Sequence, residues 1–314
     1  MVTYKRCTDV GMEHIFQAFS LGFSDYSIRL TTDQDDFAAR FFGPEGNTRN
    51  HSFLAMDEDQ PIGLILGGVR QFDGYKTMRC GTLCIAPAYR GQGISNKLLE
   101  LHKQTAVSAD CQQLWLEVIK DNHRAVKLYE KHGYQTRYTL KYYNGTLPSA
   151  PPDAPSTLYT IKGITFEEVE AFRKTLTDCH IHWQCDTPYY AASTQEAFLG
   201  ICDVNQACLG MVAMSPQGKV NFLWVDPKHR NQGLGRALLH RAAETQKVEK
   251  VYISLDNDSL ERFIQKMGFV KGSLEQYEMG MPLYPCTPVI SEDDLISPTV
   301  QLLTKTFSSP ERSS

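Results

Sequence analysis

The chain has 314 residues, of which 42% are hydrophobic and 22% charged, so it can form a core, and its length favours two domains. A formal net charge of −4 argues against a protein that binds nucleic acid by neutralising phosphates. The longest uncharged stretch is too polar to cross a membrane, no secretory signal is visible, and the nine cysteines form no Cys-x-x-Cys pair, so we expect reduced thiols and a cytoplasmic protein.

In the first half of the chain, the hydrophobic pattern predicts strands followed by alternating helices and strands. The predicted elements are the hairpin strands 52–56 and 63–69, strand 79–86, a helix after Gly93, strand 114–118, helix 122–133 and strand 138–143. Asn122 and Gly133 are typical of the start and the end of a helix. This order of elements predicts a mixed α/β fold.

A proline-rich stretch then divides the chain. Residues 147–157 contain four of the fifteen prolines, which favours an extended linker because proline fixes φ and lacks an N–H donor. The sequence therefore predicts a first domain at 1–146 and a second at 158–284. Residues 285–314 are rich in Ser, Thr and Pro and predict a flexible tail.

The second domain repeats the pattern of the first. Its predicted elements are the hairpin 198–204 and 208–214, strand 220–225, helix 234–242, strand 250–255 and a helix that ends at Gly268. Pro87 and Arg90 recur 140 residues later, and Asn122 recurs 135 residues later as Asn257. Two ordered motifs at nearly constant separation indicate a duplicated domain.

A glycine-rich turn precedes the first long helix of each copy. Gly91 and Gly93 allow the backbone to approach a ligand closely, and the helix N-terminus offers unpaired N–H groups that suit a phosphate. The turn lacks the Gly-Lys-Ser/Thr of a P-loop and the third glycine of a Rossmann fingerprint. A nucleotide-phosphate enzyme is therefore disfavoured.

Two motifs carry a resemblance to a known family. Residues 90–95 (Arg-Gly-Gln-Gly-Ile-Ser) and 230–235 (Arg-Asn-Gln-Gly-Leu-Gly) resemble motif A of the GNAT (GCN5-related) N-acetyltransferases, Arg/Gln-x-x-Gly-x-Gly/Ala, and only Ser95 departs from it. Residues 122–134 resemble the Asn-x-x-Ala-x-x-Leu-Tyr-x-x-x-Gly-Phe/Tyr helix of the same family. The resemblance implies an α/β (α+β mixed sheet) fold with two tandem GNAT-like acyltransferase domains.

The resemblance also implies an acetyl-CoA site between two splayed parallel strands. The strand before motif A would pair with the pantetheine arm, the N–H groups of motif A would hold the pyrophosphate, and Asn122 would bind the pantetheine. The implied cofactor-binding residues are Leu83, Cys84, Ile85, Arg90, Gly91, Gln92, Gly93, Ile94, Ser95 and Asn122, with Val225, Arg230, Gln232, Gly233, Gly235 and Asn257 in the second copy. Asn122 could alternatively serve as a helix cap alone.

The catalytic residues implied are Tyr129 and Glu117. By similarity, Tyr129 would be the general acid that protonates the departing thiolate, and a core tyrosine on an apolar helix face is the alternative. No carboxylate stands on the strand before motif A, so Glu117 is the nearest candidate base, a solvated acid at a strand end being the alternative reading. Because Ile264 takes the place of Tyr129 in the second copy, we expect the first domain to be catalytic and the second to be degenerate.

The acceptor is less well marked by the sequence. Asp25 and Tyr26 are candidate acceptor-binding residues, since an acid beside aromatic rings suits a cationic amine, although a helix cap is an alternative reading. Residues 179–185 contain four possible zinc ligands without the spacing of a structural zinc site, so no metal is expected.

The resemblance therefore implies an acetyl-CoA-dependent N-acetyltransferase. It would move acetyl to a primary amine of a small molecule or peptide, by direct attack in a ternary complex, with no nucleic-acid or membrane partner. The alternative is a non-catalytic acyl-CoA-binding or sensing protein. The oligomeric state and the identity of the amine are not encoded in any motif found.

Overall fold

The computed structural model describes residues 1–25, 32–147, 158–176, 179–193 and 195–283. Nearly all of the predicted linker and the whole predicted tail lie outside these residues, so the domain boundaries stay predictions. Below, residues 1–146 are called the first half and residues 158–283 the second half.

The first half contains the elements that its pattern predicts, preceded by a strand and two helices. In chain order they are β1 (Val2–Arg6), α1 (Met12–Gly22), α2 (Gln34–Phe41), β2 (Thr48–Asp57), β3 (Gln60–Phe72), β4 (Tyr75–Ile85), α3 (Ile94–Ser108), β5 (Gln113–Ile119), α4 (His123–Lys131) and β6 (Gln135–Thr146). The mixed α/β fold class is confirmed.

The second half follows the same order. Its elements are β7 (Thr160–Gly163), α5 (Phe166–Thr175), α6 (Thr187–Tyr190), β8 (Ala197–Cys202), β9 (Cys208–Met214), β10 (Lys219–Val225), α7 (Leu234–Gln246), β11 (Lys250–Leu255), α8 (Asp258–Lys266) and β12 (Val270–Pro282).

All these strands form one twelve-stranded sheet in the order β1-β2-β3-β4-β5-β12-β6-β11-β10-β9-β8-β7. Within the described residues, β4 pairs with β5 in parallel, as β10 does with β11, and the other neighbours are antiparallel. The last strand of each half is exchanged: β12 of the second half pairs with β5, and β6 of the first half pairs with β11. The sequence predicts 138–143 as the strand that closes the first half, which is wrong: β6 pairs with β11 and β12 instead, because β12 takes the edge of β5.

Helices cover both faces of the sheet. In the first half, α1 and α2 pack over Leu64, Leu66 and Cys84, and this side is called the α1/α2 face. On the other side, α3 and α4 pack over Leu114, Leu116 and Val118, and this is called the α3/α4 face. The alternation of β5 side chains between the two faces follows from strand geometry. In the second half, α5 and α6 pack on one face of the sheet, and α7 and α8 on the other.

Candidate active site

A gap opens in the sheet where β4 and β5 separate. The two strands pair from Thr77 opposite Gln113 to Cys80 opposite Leu116, and the described pairing ends there. The ladder between β3 and β4 shifts at this level, so that Gly81 is an extra residue on β4, a β-bulge. Bulges redirect strands, and this one lies where β4 leaves β5.

The second half has a similar gap. Strands β10 and β11 pair at Lys219 opposite Tyr252 and at Val220 opposite Ile253, and separate beyond that point. Each half therefore contains the splayed pair of parallel strands that the resemblance implies.

The turn that follows each splayed strand has the same backbone conformation in both halves. Gly93 and Gly233 both have a φ of 83°, Gly91 has 81°, and Asn231 takes the left-handed conformation at the position of Gly91 with 62°. Apart from the adjoining residues, no heavy atom of the described part of the chain lies within 4 Å of a Cβ built on Gly91, Gly93 or Gly233. The open space, next to the free N–H groups of a helix start, fits a phosphate or pyrophosphate group.

The side chains of motif A hold the turn in shape. Arg90 Nε donates to the Ile85 carbonyl at 3.0 Å, and Arg230 Nε donates to the Val225 carbonyl at 2.9 Å. Gln92 Nε2 donates to the carbonyl of Ala88 at 3.3 Å, a contact that Gln232 repeats in the second half. These arginines and glutamines therefore support the backbone of the turn.

The small sixth residue of motif A has a packing reason. A Cβ on Gly235 would lie 3.2 Å from Cζ of Phe263 on α8. The corresponding residue of the first half is Leu128, 135 positions earlier, which is smaller than phenylalanine. Ser95 can therefore stand at the position of Gly235, because the first half has Leu128 where the second half has the larger Phe263.

Asp25 lies at the edge of the site and is held by Arg90. Arg90 Nη1 lies 2.6 Å from Asp25 Oδ2, and Nη2 lies 2.7 Å from Oδ1. This pair of hydrogen bonds lowers the pKa of Asp25. The carboxylate therefore joins the end of α1 to the motif A turn, while Tyr26 lies outside the described residues.

Both motif asparagines cap helices. Asn122 Oδ1 accepts from the N–H of Ala125 at 3.2 Å, and Asn257 Oδ1 accepts from the N–H of Leu260 at 2.8 Å. Capping uses the side-chain oxygen, and the amide nitrogen remains compatible with binding a ligand.

Tyr129 lies on α4, on the α3/α4 face. It is 7% exposed, and its ring meets the ring of Tyr134 at a centroid distance of 5.8 Å. It belongs to the same core cluster as Leu116 and Val118 of β5. The corresponding residue of the second half, Ile264, is fully buried in an apolar core.

Glu117 lies on the opposite face, in a buried ionic network. Arg79 donates to Glu117 Oε2 from Nε at 2.7 Å, and Arg79 Nη1 lies 2.9 Å from Glu45 Oε2. Burial alone would raise the pKa of Glu45, but Arg79 and Arg40 hold it below its usual range. Glu117 Oε1 is buried and has no hydrogen-bond partner among the described residues.

The segment 179–186 reaches from the second half into this network, which the sequence does not predict. Trp183 is fully buried and donates from Nε1 to the Glu45 carbonyl at 3.0 Å, and Gln184 Nε2 donates to Glu45 Oε1 at 2.9 Å. The guanidinium of Arg70 lies 3.5 Å from the centre of the Trp183 ring. Loop residues of this kind carry no periodic signal, so neither Glu45 nor Trp183 could be found from spacing.

The histidines of this segment are also engaged. His180 contacts Asp73 and Glu278 at 2.5 and 2.8 Å, and its ring stacks on Tyr138 at 3.8 Å. No group of three or more His, Cys, Asp or Glu side chains that could hold a metal occurs in the part of the chain that the structure describes.

The gap of the second half is occupied on the corresponding face. Asn221 stands 140 positions after Gly81, and Ser254 is the residue after the last paired position of β11, as Glu117 is on β5. His182 Nε2 lies 2.7 Å from Ser254 Oγ, and Cys185 Sγ lies 3.6 Å from the same oxygen. The chain's own side chains therefore cover this gap, whereas Gly81 contributes none to the first one.

The sequence matches two family models. Residues 12–134 match the model of the acetyltransferase (GNAT) family, and residues 164–287 match the acetyltransferase (GNAT) domain model. Among the helices described, none is long and apolar enough to cross a membrane.

Curated relatives match over shorter stretches. N-alpha-acetyltransferase 30 of Schizosaccharomyces pombe is 34% identical over 99 residues, which is 30% of this chain and 65% of the relative. An acetyltransferase of Yersinia pestis (strain Pestoides F) is 30% identical over 79 residues, 25% of this chain and 53% of the relative. The chain thus spans between half and two thirds of these relatives.

Solved structures match over nearly the whole chain. A GCN5-related N-acetyltransferase from Sphaerobacter thermophilus aligns with a TM-score of 0.63 at 15% identity, covering 90% of this chain and 95% of its own. A tandem GNAT protein from the clavulanic acid biosynthesis pathway aligns with a TM-score of 0.65 at 14% identity, and the alignment covers 90% of this chain and 98% of that protein. At such identities the likeness shows the fold alone.

Proposed function

The chain belongs to the GNAT acetyltransferase family, with two GNAT domains in tandem, and from this we propose that it is an acetyl-CoA-dependent N-acetyltransferase whose first half carries the chemistry. The acceptor is a primary amine of a small molecule or peptide. The amine attacks the thioester directly, in a ternary complex.

One observation carries the proposal: the two candidate catalytic groups lie on opposite faces of the sheet, where β4 and β5 separate. Tyr129 packs on the α3/α4 face with Leu116 and Val118. Glu117 stands between those two residues on β5 and so points to the α1/α2 face. A ligand passing through the gap would meet Glu117 on one side of the sheet and the α4 helix of Tyr129 on the other.

The motif A turn supplies the binding site for the acetyl donor. The turn N–H groups around Gly91 and Gly93 would hold its pyrophosphate, and the free edge of β4 at 83–85 would pair with its pantetheine arm. Acetyl-CoA, when bound there, supplies the acetyl group as a thioester with a thiol leaving group.

The two side chains then move protons in opposite directions. Glu117 takes a proton from the amine, which must be neutral to attack, and Arg79 keeps the other carboxylate oxygen in place. The new C–N bond forms as the C–S bond breaks, the attacking nitrogen releases its second proton to solvent, and the Tyr129 hydroxyl delivers a proton to the departing sulfur. The proton taken by Glu117 returns to Tyr129 through solvent after the products leave.

The second half has a supporting role in this proposal. Ile264 has no proton to donate, and Ser254 replaces the carboxylate of Glu117. Trp183 and Gln184, by contrast, hold Glu45 and so the network around Glu117. The second motif A turn keeps a shape suited to a phosphate, so it could retain an acyl-CoA without turning it over.

The eight cysteines within the described residues are all free thiols, which supports a reducing compartment such as the cytoplasm. We include this location in the proposal. Cell fractionation with an antibody against the full chain would check it.

The test is thiol release from acetyl-CoA with a panel of amines: amino acids, polyamines, aminoglycosides and peptide N-termini. Tyr129→Phe is expected to lower the rate by about 10²- to 10⁴-fold, as for loss of a general acid, and Gly233→Glu to keep it. If only Gly233→Glu abolishes transfer while both variants remain folded, the second half is the catalytic one. Silence with every amine, together with tight acetyl-CoA binding, would favour the non-catalytic acyl-CoA-binding protein.

A further inference from the structure

Two buried oxygens at the first gap have no hydrogen-bond partner in the part of the chain that the structure describes. Asn47, in the loop between α2 and β2, is 3% exposed, and the Glu117 side chain is 8% exposed. In the described part of the chain, neither Asn47 Oδ1 nor Glu117 Oε1 has a hydrogen-bond partner. Since nearly all buried polar atoms are paired, two such acceptors at one place point to a ligand that donates hydrogen bonds.

The two oxygens lie at the same level of the gap. A Cβ built on Gly81 would be 2.2 Å from Asn47 Oδ1, and Gly81 directly follows the last residue of β4 that pairs with β5. Glu117 directly follows the last residue of β5 that pairs with β4.

They also share the α1/α2 face. Glu45 lies two residues before Asn47 in the same loop, and its carboxylate binds Arg79, which in turn binds Glu117. Arg79 lies two residues before Gly81 on β4, so the contacts of Glu45 with Arg79 and of Asn47 with Gly81 stand side by side. Gly81 is half-buried, so β4 is partly exposed to solvent at this level.

Both oxygens are fixed in position. Asn47 Nδ2 donates to the Phe41 carbonyl at 2.8 Å, which settles which end of the amide is the oxygen. The loop that carries Asn47 presses on β3, since a Cβ on Gly68 would lie 2.0 Å from the Gly46 carbonyl oxygen. Arg79 holds the other oxygen of Glu117. The oxygens therefore cannot turn away to find partners elsewhere.

We propose that Asn47 Oδ1 and Glu117 Oε1 together bind the amino nitrogen of the acceptor, an arrangement called here the amine clasp. A carboxylate oxygen and an amide oxygen are both acceptors, and a primary ammonium has three N–H donors to offer them. Glu117 takes one proton, and Asn47 accepts a hydrogen bond from one that remains, which orients the lone pair. The clasp rests on the proposed function and adds Asn47, for which no motif gives a role.

The second half provides a matched comparison. Asn221 Oδ1 is also buried and unpartnered within the described residues, but the position of Glu117 is taken there by Ser254. The Asn221 oxygen therefore has no carboxylate at the position of Glu117, although Asn221 Nδ2 donates to Glu196 Oε2 at 3.2 Å. Asn221→Leu makes the same chemical change as Asn47→Leu at a place where the proposal expects no effect.

The experiment compares Asn47→Leu, Asn47→Asp and Asn221→Leu in the full chain. Asn47→Leu removes both the oxygen and the Nδ2 donor to Phe41, whereas Asn47→Asp removes the donor and keeps an acceptor oxygen. The Michaelis constants of the best amine of the panel and of acetyl-CoA are measured. Calorimetric titration of the same amines into the complex with CoA gives an affinity that requires no turnover.

Asn47→Leu should lower the affinity for the amine about 10- to 100-fold, as expected for loss of a hydrogen bond to a charged donor. It should change the Michaelis constant for acetyl-CoA less than twofold. The amine affinity of Asn47→Asp should stay within about threefold of the wild-type value, and that of Asn221→Leu should equal the wild-type value. An unchanged amine affinity in Asn47→Leu, an equal loss in Asn47→Asp, or a loss confined to acetyl-CoA would each overturn the clasp, the last assigning the oxygens to the pantetheine amides. If no amine reacts but one binds to the complex with CoA, the proposed function is refuted, and the titrations of the variants still test the clasp. If no amine binds at all, the clasp is refuted as well.

Discussion

The two motif A turns offer a direct test of which half works, because Gly93 and Gly233 are matched in structure. Both have a φ of 83°, and both leave open space where a Cβ would be. Replacing either by alanine makes the same chemical change in the same local environment. Any difference in activity between Gly93→Ala and Gly233→Ala must therefore come from what each turn binds.

The cost in stability should be equal in the two variants. An L-residue in the left-handed region costs about 1–2 kcal/mol. Loss of glycine entropy from the unfolded chain returns about 0.4–1 kcal/mol. No clash adds to this, so the free energy of unfolding should fall by about 1 kcal/mol in each variant. Urea unfolding should therefore show the same loss for Gly93→Ala and for Gly233→Ala.

Activity should separate them. In Gly93→Ala the methyl group stands in the space proposed for the pyrophosphate, so we expect the Michaelis constant for acetyl-CoA to rise about tenfold or more. Gly233→Ala should leave it within twofold, since the second turn takes no part in the proposed reaction. Steady-state thiol release at several acetyl-CoA concentrations measures both. Equal losses, or a loss in Gly233→Ala alone, would refute the assignment of catalysis to the first half.

Three further predictions concern the buried network and core. Burial alone would lower the pKa of His180, but Asp73 and Glu278 raise it to about 10. Because the pKa in the folded state lies above that in the unfolded state, this stabilisation is complete below about pH 6.5 and is lost as the pH rises toward 10. The free energy of unfolding, measured with denaturant, should therefore fall more steeply from pH 7 to 10 for the wild type than for His180→Gln. Tyr134 has a buried hydroxyl without a partner among the described residues, so Tyr134→Phe should raise the free energy of unfolding by about 1 kcal/mol, and a loss in urea unfolding would contradict this. Trp183→Ala should cost about 3–5 kcal/mol because the ring is fully buried, and Trp224→Ala, at a partly exposed site, should cost clearly less in the same measurement.

The parts of the site that the sequence predicts are those encoded locally. Glycines at 91 and 93 predict the left-handed turn, Asn122 predicts a helix start, and helical spacing places Tyr129 on the buried side of α4. Each of these features depends on residues within a few positions of one another, so a single sequence is enough to find them.

The contacts made across the sheet are not encoded in that way. Asn47 and Trp183 lie in loops, and their role follows from what they contact on distant strands. The exchange of β6 and β12 is hidden for a further reason. The duplicated halves present similar free edges at β5 and β11, so neither last strand reveals by its own pattern which of the two edges it joins.

The exchange makes the two halves mutually dependent in structure. Strand β12 places Glu278 directly opposite Glu117 of β5. Two carboxylates facing each other across strands repel, yet Glu278 is fully buried, so each needs its own cation. Arg79 from the first half forms an ion pair with Glu117, and His180 from the second half forms one with Glu278.

The second half therefore supplies a strand, a histidine, and the Trp183 and Gln184 contacts to the surroundings of Glu117, whether or not its own turn binds anything. Selection on catalysis in the first half would then also preserve β12 and segment 179–186. It would leave Ile264 and Ser254 free to depart from the residues that the reaction requires. If the first half is the catalytic one, as proposed, the second can lose its own chemistry in this way and still be retained, because the first half cannot complete its sheet or neutralise its buried charges without it.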